Sequence, residues 1–349
     1  MKKLISLLLV LAMALTLVAC GAKEEAPATE APAAEAAPEA PAAEVTTYDV
    51  GVAIYQYNDN FMTLYRQEIE AYFKTLETDT VKYNITMVDS KNDMAEQTNQ
   101  IDTFITQGMD VIILNLVQTS SAEVLIDKVV EAGIPCILIN REPLGETDES
   151  YPGIINNPTV CYVGADARQS GTYQGEIVLA LDDKGDVNGN GKVDYVMIIG
   201  DPENPDAQYR TEFSIKALTD AGVEVNCLVS NVGNWDQTKG QEIAAAALAQ
   251  FGDEIDVIFC NNDGMALGAA AAIEAAGRVV GQDIYLLGVD ALDECQEMVQ
   301  AGTMTGTVLN DHIGQSHAAV DAAVAALNGE ALQNYYWVDY LKVDAAYFG

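Results

Sequence analysis

Asp110-Val111-Ile112-Ile113-Leu114-Asn115-Leu116 is followed by a helical pattern over 121–132 and then by Pro135-Cys136-Ile137-Leu138-Ile139-Asn140. Both short runs are apolar at successive positions, so neither face of such a strand can lie against water. Strands buried on both faces and joined by a helix indicate a parallel sheet covered on both sides. The same alternation extends outward. Upstream stand strand-like runs at 49–57 and 82–88, with helical patterns at 61–76 and 94–107. Downstream a second series is read from near Val160, with runs at 159–164, 194–200, 224–230, 256–262 and 284–290. Helical patterns at 169–181, 206–221, 236–251 and 265–276 separate them. Two successive series predict an α/β fold of two doubly wound parallel-sheet lobes.

The tail adds a short strand over 303–309, a helix over 312–327 and a last strand over 337–343. Three such pieces cannot form a third domain, so they are expected to return and complete the two lobes. The lobes are drawn at 47–165 plus 310–334 and at 166–309 plus 335–349. Several crossings between them make a multi-strand hinge.

The 349 residues carry 53 Asp plus Glu against 17 Lys plus Arg, a formal charge of −36, with 49% hydrophobic content. Such acidity argues against nucleic acid, whose phosphates call for a surplus of Lys and Arg. The apolar fraction is that of a folded protein. Residues 1–19 read as an export signal: Lys2 and Lys3 form a positive head, an apolar run follows, and small Ala19 precedes Cys20. Leu17-Val18-Ala19-Cys20 before Gly21 resembles the lipobox of bacterial lipoproteins, in which the Cys carries lipid. Residues 20–46 then form a tether rich in Ala, Pro and Glu, which reaches about 30 Å as a coil and about 80 Å when extended. A lipid-anchored, extracytoplasmic monomer is expected. Cys136, Cys161, Cys227, Cys260 and Cys295 show no metal or disulfide spacing and read as small apolar residues.

In an open parallel sheet, ligands bind beyond the carboxyl ends of the strands. Those positions hold Tyr55, Asn58 and Asp59; Asn140 and Arg141; Asn204 and Asp206; Asn261, Asn262 and Asp263; and Asp290. Phe61 and Trp235 stand close by. Amides and carboxylates suit a neutral polyhydroxyl ligand, and aromatic faces suit the C–H faces of a sugar ring. Singly, each Asn or Asp at a strand end also reads as a turn former or helix cap. Asp206 and Arg210, four apart at a helix start opened by Pro205, share one helix face. They form either a surface ion pair or a set of donors and acceptors for a ligand hydroxyl.

Asp186-Val187-Asn188-Gly189-Asn190-Gly191-Lys192-Val193-Asp194 places oxygen side chains at loop positions 1, 3, 5 and 9 with Gly at 6. This pattern matches the first nine positions of an EF-hand calcium loop. Position 12 is Met197, so a distal acid must close the shell. Without one, an Asn/Gly-rich surface turn is the alternative.

These residues resemble the galactose/glucose-binding proteins of bacterial sugar importers, type I periplasmic binding proteins with the ribose-binding-like fold. The resemblance covers about residues 48–348 and rests on IYQYNDNFM (54–62), INREP (139–143), YVGAD (162–166), GDPENPDAQYR (200–210), NWD (234–236), NNDGMALGA (261–269), GVDAL (288–292) and AGTMTGTVLND (301–311). It implies a sugar ring between Phe61 and Trp235. It also implies hydroxyl contacts from Asp59, Asn140, Asp206, Arg210, Asn262, Asp290 and Asn310, with Tyr55 near the site. It implies Ca²⁺ held by Asp186, Asn188, Asn190, the Lys192 carbonyl and Asp194, closed by Asp256 where the family pattern has Glu. Asn204 stands where the pattern has His. The implied partners are D-glucose or D-galactose and the membrane permease of an ABC importer.

Three other readings compete. An enzyme acting on sugars could use Asp59 and Asp290 as an acid/base pair, but only His312 and His317 exist in the chain. A repressor's effector core would carry a DNA-binding head where the export signal stands. A sensory receptor feeding a chemoreceptor or sensor kinase would share every feature above.

Overall fold

Val, Ile and Leu at successive positions make β3 (Val111–Leu114) and β4 (Cys136–Ile139) wholly buried strands, whose odd and even residues enter different cores. Val111, Ile113, Ile137 and Ile139 pack on one face of the sheet, while Ile112, Leu114, Cys136 and Leu138 pack on the other. The structure, a computed structural model, describes residues 44–147 and 149–349. The export signal, Cys20 and the tether up to Ala43 lie outside the described residues.

The first lobe is built from β1 (Thr46–Ile54), α1 (Asn60–Leu76), β2 (Val81–Asp89), α2 (Met94–Gln107), β3, α3 (Ala122–Glu131), β4, α4 (Pro152–Ile155) and β5 (Val160–Gly164). The second continues with α5 (Ala167–Leu179), β6 (Val193–Ile199), α6 (Pro205–Asp220), β7 (Val225–Val232), α7 (Gln237–Phe251), β8 (Val257–Cys260), α8 (Asp263–Ala275), β9 (Tyr285–Leu287), α9 (Asp293–Ala301) and β10 (Thr307–Leu309). Then α10 (His312–Leu327), β11 (Tyr335–Trp337) and β12 (Leu341–Val343) finish the chain.

The first sheet runs β11-β5-β4-β3-β1-β2 and is parallel throughout. The second runs β7-β6-β8-β9, also parallel, beside an antiparallel β10-β12 pair. In each sheet the order reverses at the first strand, between β1 and β3 and between β6 and β8. The crevice for a ligand opens at the carboxyl ends there.

Four details differ from the sequence expectation. The strand at 159–164, read as opening the second series yet drawn within the first lobe, pairs with β4 in the first sheet, so it closes the first series. The last strand is two strands: β11 extends the first sheet and β12 the second-lobe pair, so 335–337 belong to the first lobe. The reason is packing, since Trp337 and Tyr335 stack on each other and meet Tyr162 of β5 edge-on, covering an otherwise open sheet edge. Helix α9 was not expected, because only Cys295 and Val299 mark its buried face. Thr46 already pairs with Val81, so the tether's last residue begins β1.

The chain crosses between lobes before α5, after β10 and between β11 and β12. Helix α10 packs on α1 and the first sheet. Helices α7 and α8 lie against each other with almost no space between backbones: a Cβ on Gly268 would stand 2.0 Å from the Gln237 carbonyl oxygen. Among the described residues all five cysteines are free. Four are buried, whereas Cys227 is exposed on β7.

Candidate functional site

Each strand end named above delivers one wall of a single narrow cavity of about 30 Å³. Tyr55, Asp59 and Phe61 come from the turn after β1 and the start of α1, and Asn140 follows β4. Asn204, Asp206 and Arg210 come from the turn after β6 and from α6. Trp235 follows β7, Asn262 follows β8, Asp290 follows β9, and Asn310 follows β10. All eleven residues expected from the sequence line it, joined by Met62. Eight of the eleven are buried to more than nine-tenths, so the two lobes shut around the space.

Arg210 is the electrostatic centre. Its Nη2 donates to Asp206 at 3.2 Å and to the Tyr340 hydroxyl at 3.0 Å, and its Nη1 donates to the Asn261 carbonyl at 2.8 Å. Asp290 lies 3.9 Å from Nη1. Burial opposes the guanidinium charge, but Tyr340, Asp206 and Asp290 outweigh it and hold Arg210 protonated. Burial likewise pushes the Asp206 and Asp290 carboxyls up, with Arg210 pulling both back. The Asp206–Arg210 pair is buried on both sides, so it is not the surface ion pair that the sequence left open. Arg210 Nε and Trp235 Nε1 are buried donors with no acceptor in the protein.

The helix-cap reading of the Asn and Asp residues holds alongside the pocket. Asp59 Oδ1 accepts from Met62 N at 2.7 Å, Asn204 Oδ1 from Asp206 N at 3.0 Å and Asn262 Oδ1 from Met265 N at 2.9 Å. Each cap fixes one side-chain oxygen, and thereby orients the rest of the group toward the cavity wall. Asp59 Oδ2 accepts from Tyr55 Oη at 2.6 Å. Asn140, Trp235 and Asp290 all have positive φ, of 62°, 65° and 122°. Such backbone strain at three walls of one cavity is retained only where the surroundings enforce it.

Further residues buttress the walls and were not expected. Gln315 Nε2 donates to Asn310 Oδ1 at 2.6 Å, and Asn310 Nδ2 donates to Asp290 at 3.2 Å. Asn115 accepts from Tyr55 N and donates to Asn140, each at 3.2 Å. Tyr340 reaches Arg210 from the β11–β12 crossing. Of these only Asn115 carried a signal, polarity inside an apolar run after Leu114. Asn261 and Asp263, named at a strand end, prove to be struts. Asn261 Oδ1 accepts from Gly200 N and Thr211 Oγ1, and the Asp263 carboxyl accepts from Thr307 Oγ1 and Leu292 N. Burial pushes the Asp263 carboxyl up to about 6.

The 186–194 loop lies away from this cavity. Asp186 accepts from Asn190 N and Gly191 N. Asp194 accepts from Asn190 Nδ2 and Lys192 Nζ, each at 2.7 Å. Buried Asp256 reaches in from β8's amino end and accepts from Asn188 N at 3.0 Å and Asp194 N at 2.9 Å. Burial raises the Asp256 carboxyl, and Asp186 and Asp194 add repulsion, so the three acids stand near one another. Their oxygens are turned to the loop's own donors, and among the described residues no three acidic, His or Cys side chains form a metal-holding group. The donor set of three carboxylates and two amides is that of a hard cation.

Residues 50–331 match the periplasmic binding protein domain. The chain belongs to the periplasmic binding protein family. It is 33% identical over 290 residues to the D-galactose/methyl-galactoside binding periplasmic protein MglB of Haemophilus influenzae, covering 81% of this chain and 82% of that one. It is 25% identical over 265 residues to the ribose import binding protein RbsB of Salmonella typhimurium, covering 75% and 81%. Among solved structures it resembles an ABC transporter solute binding protein from Bacillus halodurans with bound myo-inositol. The TM-score is 0.73 at 27% identity, covering 86% of this chain and 95% of that one. The two-lobed α/β architecture is that of the type I members of the family. Like these relatives the chain is a binding protein of the transport class and not an enzyme, and its folded body works outside the cytoplasm.

Proposed function

We propose that this periplasmic binding protein captures D-glucose or D-galactose between its lobes and presents the closed form to the permease of an ABC importer. The carrying observation is the cavity itself. Asp206 and Asp290 flank Arg210, four amides and the Asp59 carboxylate complete the polar wall, and Phe61 and Trp235 supply aromatic faces. A neutral polyhydroxyl ring can satisfy such a wall without bringing in a charge to be buried. The likeness to a galactose/methyl-galactoside binding protein supports a hexose. Closure follows when contacts from both lobes are made at once, which favours the closed population by the differential affinity of the ligand.

Calorimetric titration of residues 44–349 against glucose, galactose, ribose and myo-inositol tests this reading. A Trp337→Phe background leaves Trp235 as the fluorescence reporter. The expected result is glucose or galactose binding at least about tenfold tighter than ribose or myo-inositol, a gap of about 1.4 kcal/mol, with Trp235 quenched. Tighter binding of myo-inositol or ribose would overturn the hexose assignment, and no heat with any of them would overturn sugar capture.

Two further parts of the reading concern the rest of the chain. Lipid on Cys20 would anchor the body, with the tether holding it clear of the membrane. The 186–194 loop together with Asp256 would take Ca²⁺, the Asp186, Asn188, Asn190, Asp194 and Asp256 side chains and the Lys192 carbonyl acting as oxygen ligands. Bound Ca²⁺ there supplies charge neutralisation that joins the loop to β8. Tb³⁺ luminescence displaced by Ca²⁺, and lost in Asp186→Ala, is the expected outcome. Equal luminescence in the variant would remove the assignment.

A further inference from the structure

Arg141 is absent from the cavity lining yet is 1% exposed. It follows β4 in the first lobe. Its guanidinium lies 3.9 Å over the Tyr55 ring, and Nη1 donates to the Val117 carbonyl, also in the first lobe. The same Nη1 reaches across the cleft to Asp201, at 3.2 Å, in the turn after β6 of the second lobe. Thr119 Oγ1 of the first lobe meets the Glu203 carbonyl in that turn at 3.4 Å. Arg141 Nε and Nη2 are buried and have no acceptor.

Both ends of this contact lead into the pocket walls. Tyr55, beneath the guanidinium, donates to Asp59. Asp201 accepts from Glu203 N at 3.0 Å, and its carbonyl from Asn204 N at 2.9 Å, which shapes the turn that delivers Asn204 and Asp206.

We propose that Arg141 and Asp201 form a latch across the rim of the cleft that sets how tightly the lobes close on any ligand without taking part in the choice of ligand. The first-lobe partners of Arg141, an aromatic face and a carbonyl, do not neutralise its charge. Asp201 does, and only when the lobes meet. When they part, water hydrates the guanidinium and the carboxylate separately. Removing the carboxylate therefore leaves a buried, uncompensated charge in the closed form alone, and the cost falls on closure. Replacing both partners with neutral groups removes the charge together with its need for a partner. Asp206, deeper in the cleft, is touched by the field of Arg141 but makes no hydrogen bond to it, so Asp201→Asn is the cleaner probe.

This inference rests on the capture reading above and is tested with two sugars that the wild-type protein binds. Calorimetry of Asp201→Asn is expected to show both affinities falling by the same factor, about tenfold for a partly exposed partner. The Arg141→Met/Asp201→Asn double variant is expected to bind no more weakly than Asp201→Asn. Ligand-free melting temperatures of the variants identify any folding defect. Wild-type affinity in Asp201→Asn, unequal losses for the two sugars, or losses that add in the double variant would each overturn the latch. If the wild-type protein binds no sugar, the capture reading fails by itself, and small-angle scattering of the ligand-free proteins decides the latch. A larger radius of gyration in Asp201→Asn supports it and equal dimensions overturn it.

Discussion

Arg210→Met is expected to abolish sugar binding, with a loss of at least about 1,000-fold, equal to about 4 kcal/mol. It should also lower the stability of the ligand-free protein by about 3–5 kcal/mol, the range for breaking a buried ion pair by removing one partner. Methionine fills much of the volume, so the loss is electrostatic rather than a cavity effect. Without the guanidinium the Tyr340 hydroxyl, the Asn261 carbonyl and Asp206 lose their shared donor. The Asp206 and Asp290 carboxyls, already raised by burial, lose the main influence that lowers them and rise further. Calorimetry and urea titration at neutral pH measure the two effects. Retained binding, or a stability change under about 1 kcal/mol, would show that Arg210 is not the hub of the site.

The second large effect is steric. Gly268→Ala is expected to destabilise the protein by about 3 kcal/mol, the upper part of the range for overpacking. The added Cβ would lie 2.0 Å from the Gln237 carbonyl oxygen and 2.7 Å from Gln241 N, both backbone atoms of α7. No side chain can rotate away, so the two helices must separate along their contact. Trp235 stands two residues before Gln237, so the shift also reaches the pocket and sugar affinity should fall with stability. A urea midpoint shift with unchanged slope measures the loss. A change within about 0.5 kcal/mol, the size of an ordinary surface substitution, would mean that the helices part freely.

Much of this was legible in the chain. The parity of Val111 to Leu114 and Cys136 to Ile139 dictates strands buried on both faces, and the patterns between them dictate the covering helices. Once the strand ends were located, rules for open parallel sheets picked out Tyr55, Asn140, Asp206, Asn262 and Asp290 as neighbours although they span more than two hundred residues. Helical spacing placed Arg210 on the same face as Asp206, and its contact with a ligand hydroxyl was what the family resemblance implied.

What escaped that reading depended on partners far along the chain. The sequence 337–343 reads as one strand because its local pattern is continuous. Only the free edge of β5, with Tyr162 waiting for Trp337 and Tyr335, and the need of β10 for an antiparallel neighbour divide it between the lobes. Gln315, Tyr340 and Asp201 carry no periodic mark that distinguishes them from other polar residues. Their roles come from the atoms they meet across the hinge or the cleft. Local sequence determines element type, sheet class and the end of the sheet at which a ligand sits, because those depend on which faces each short run can bury. Pairing order, the buttresses of the pocket and the contact that joins the closed lobes were decided only by the tertiary structure, because each is a match between two distant segments that neither encodes alone.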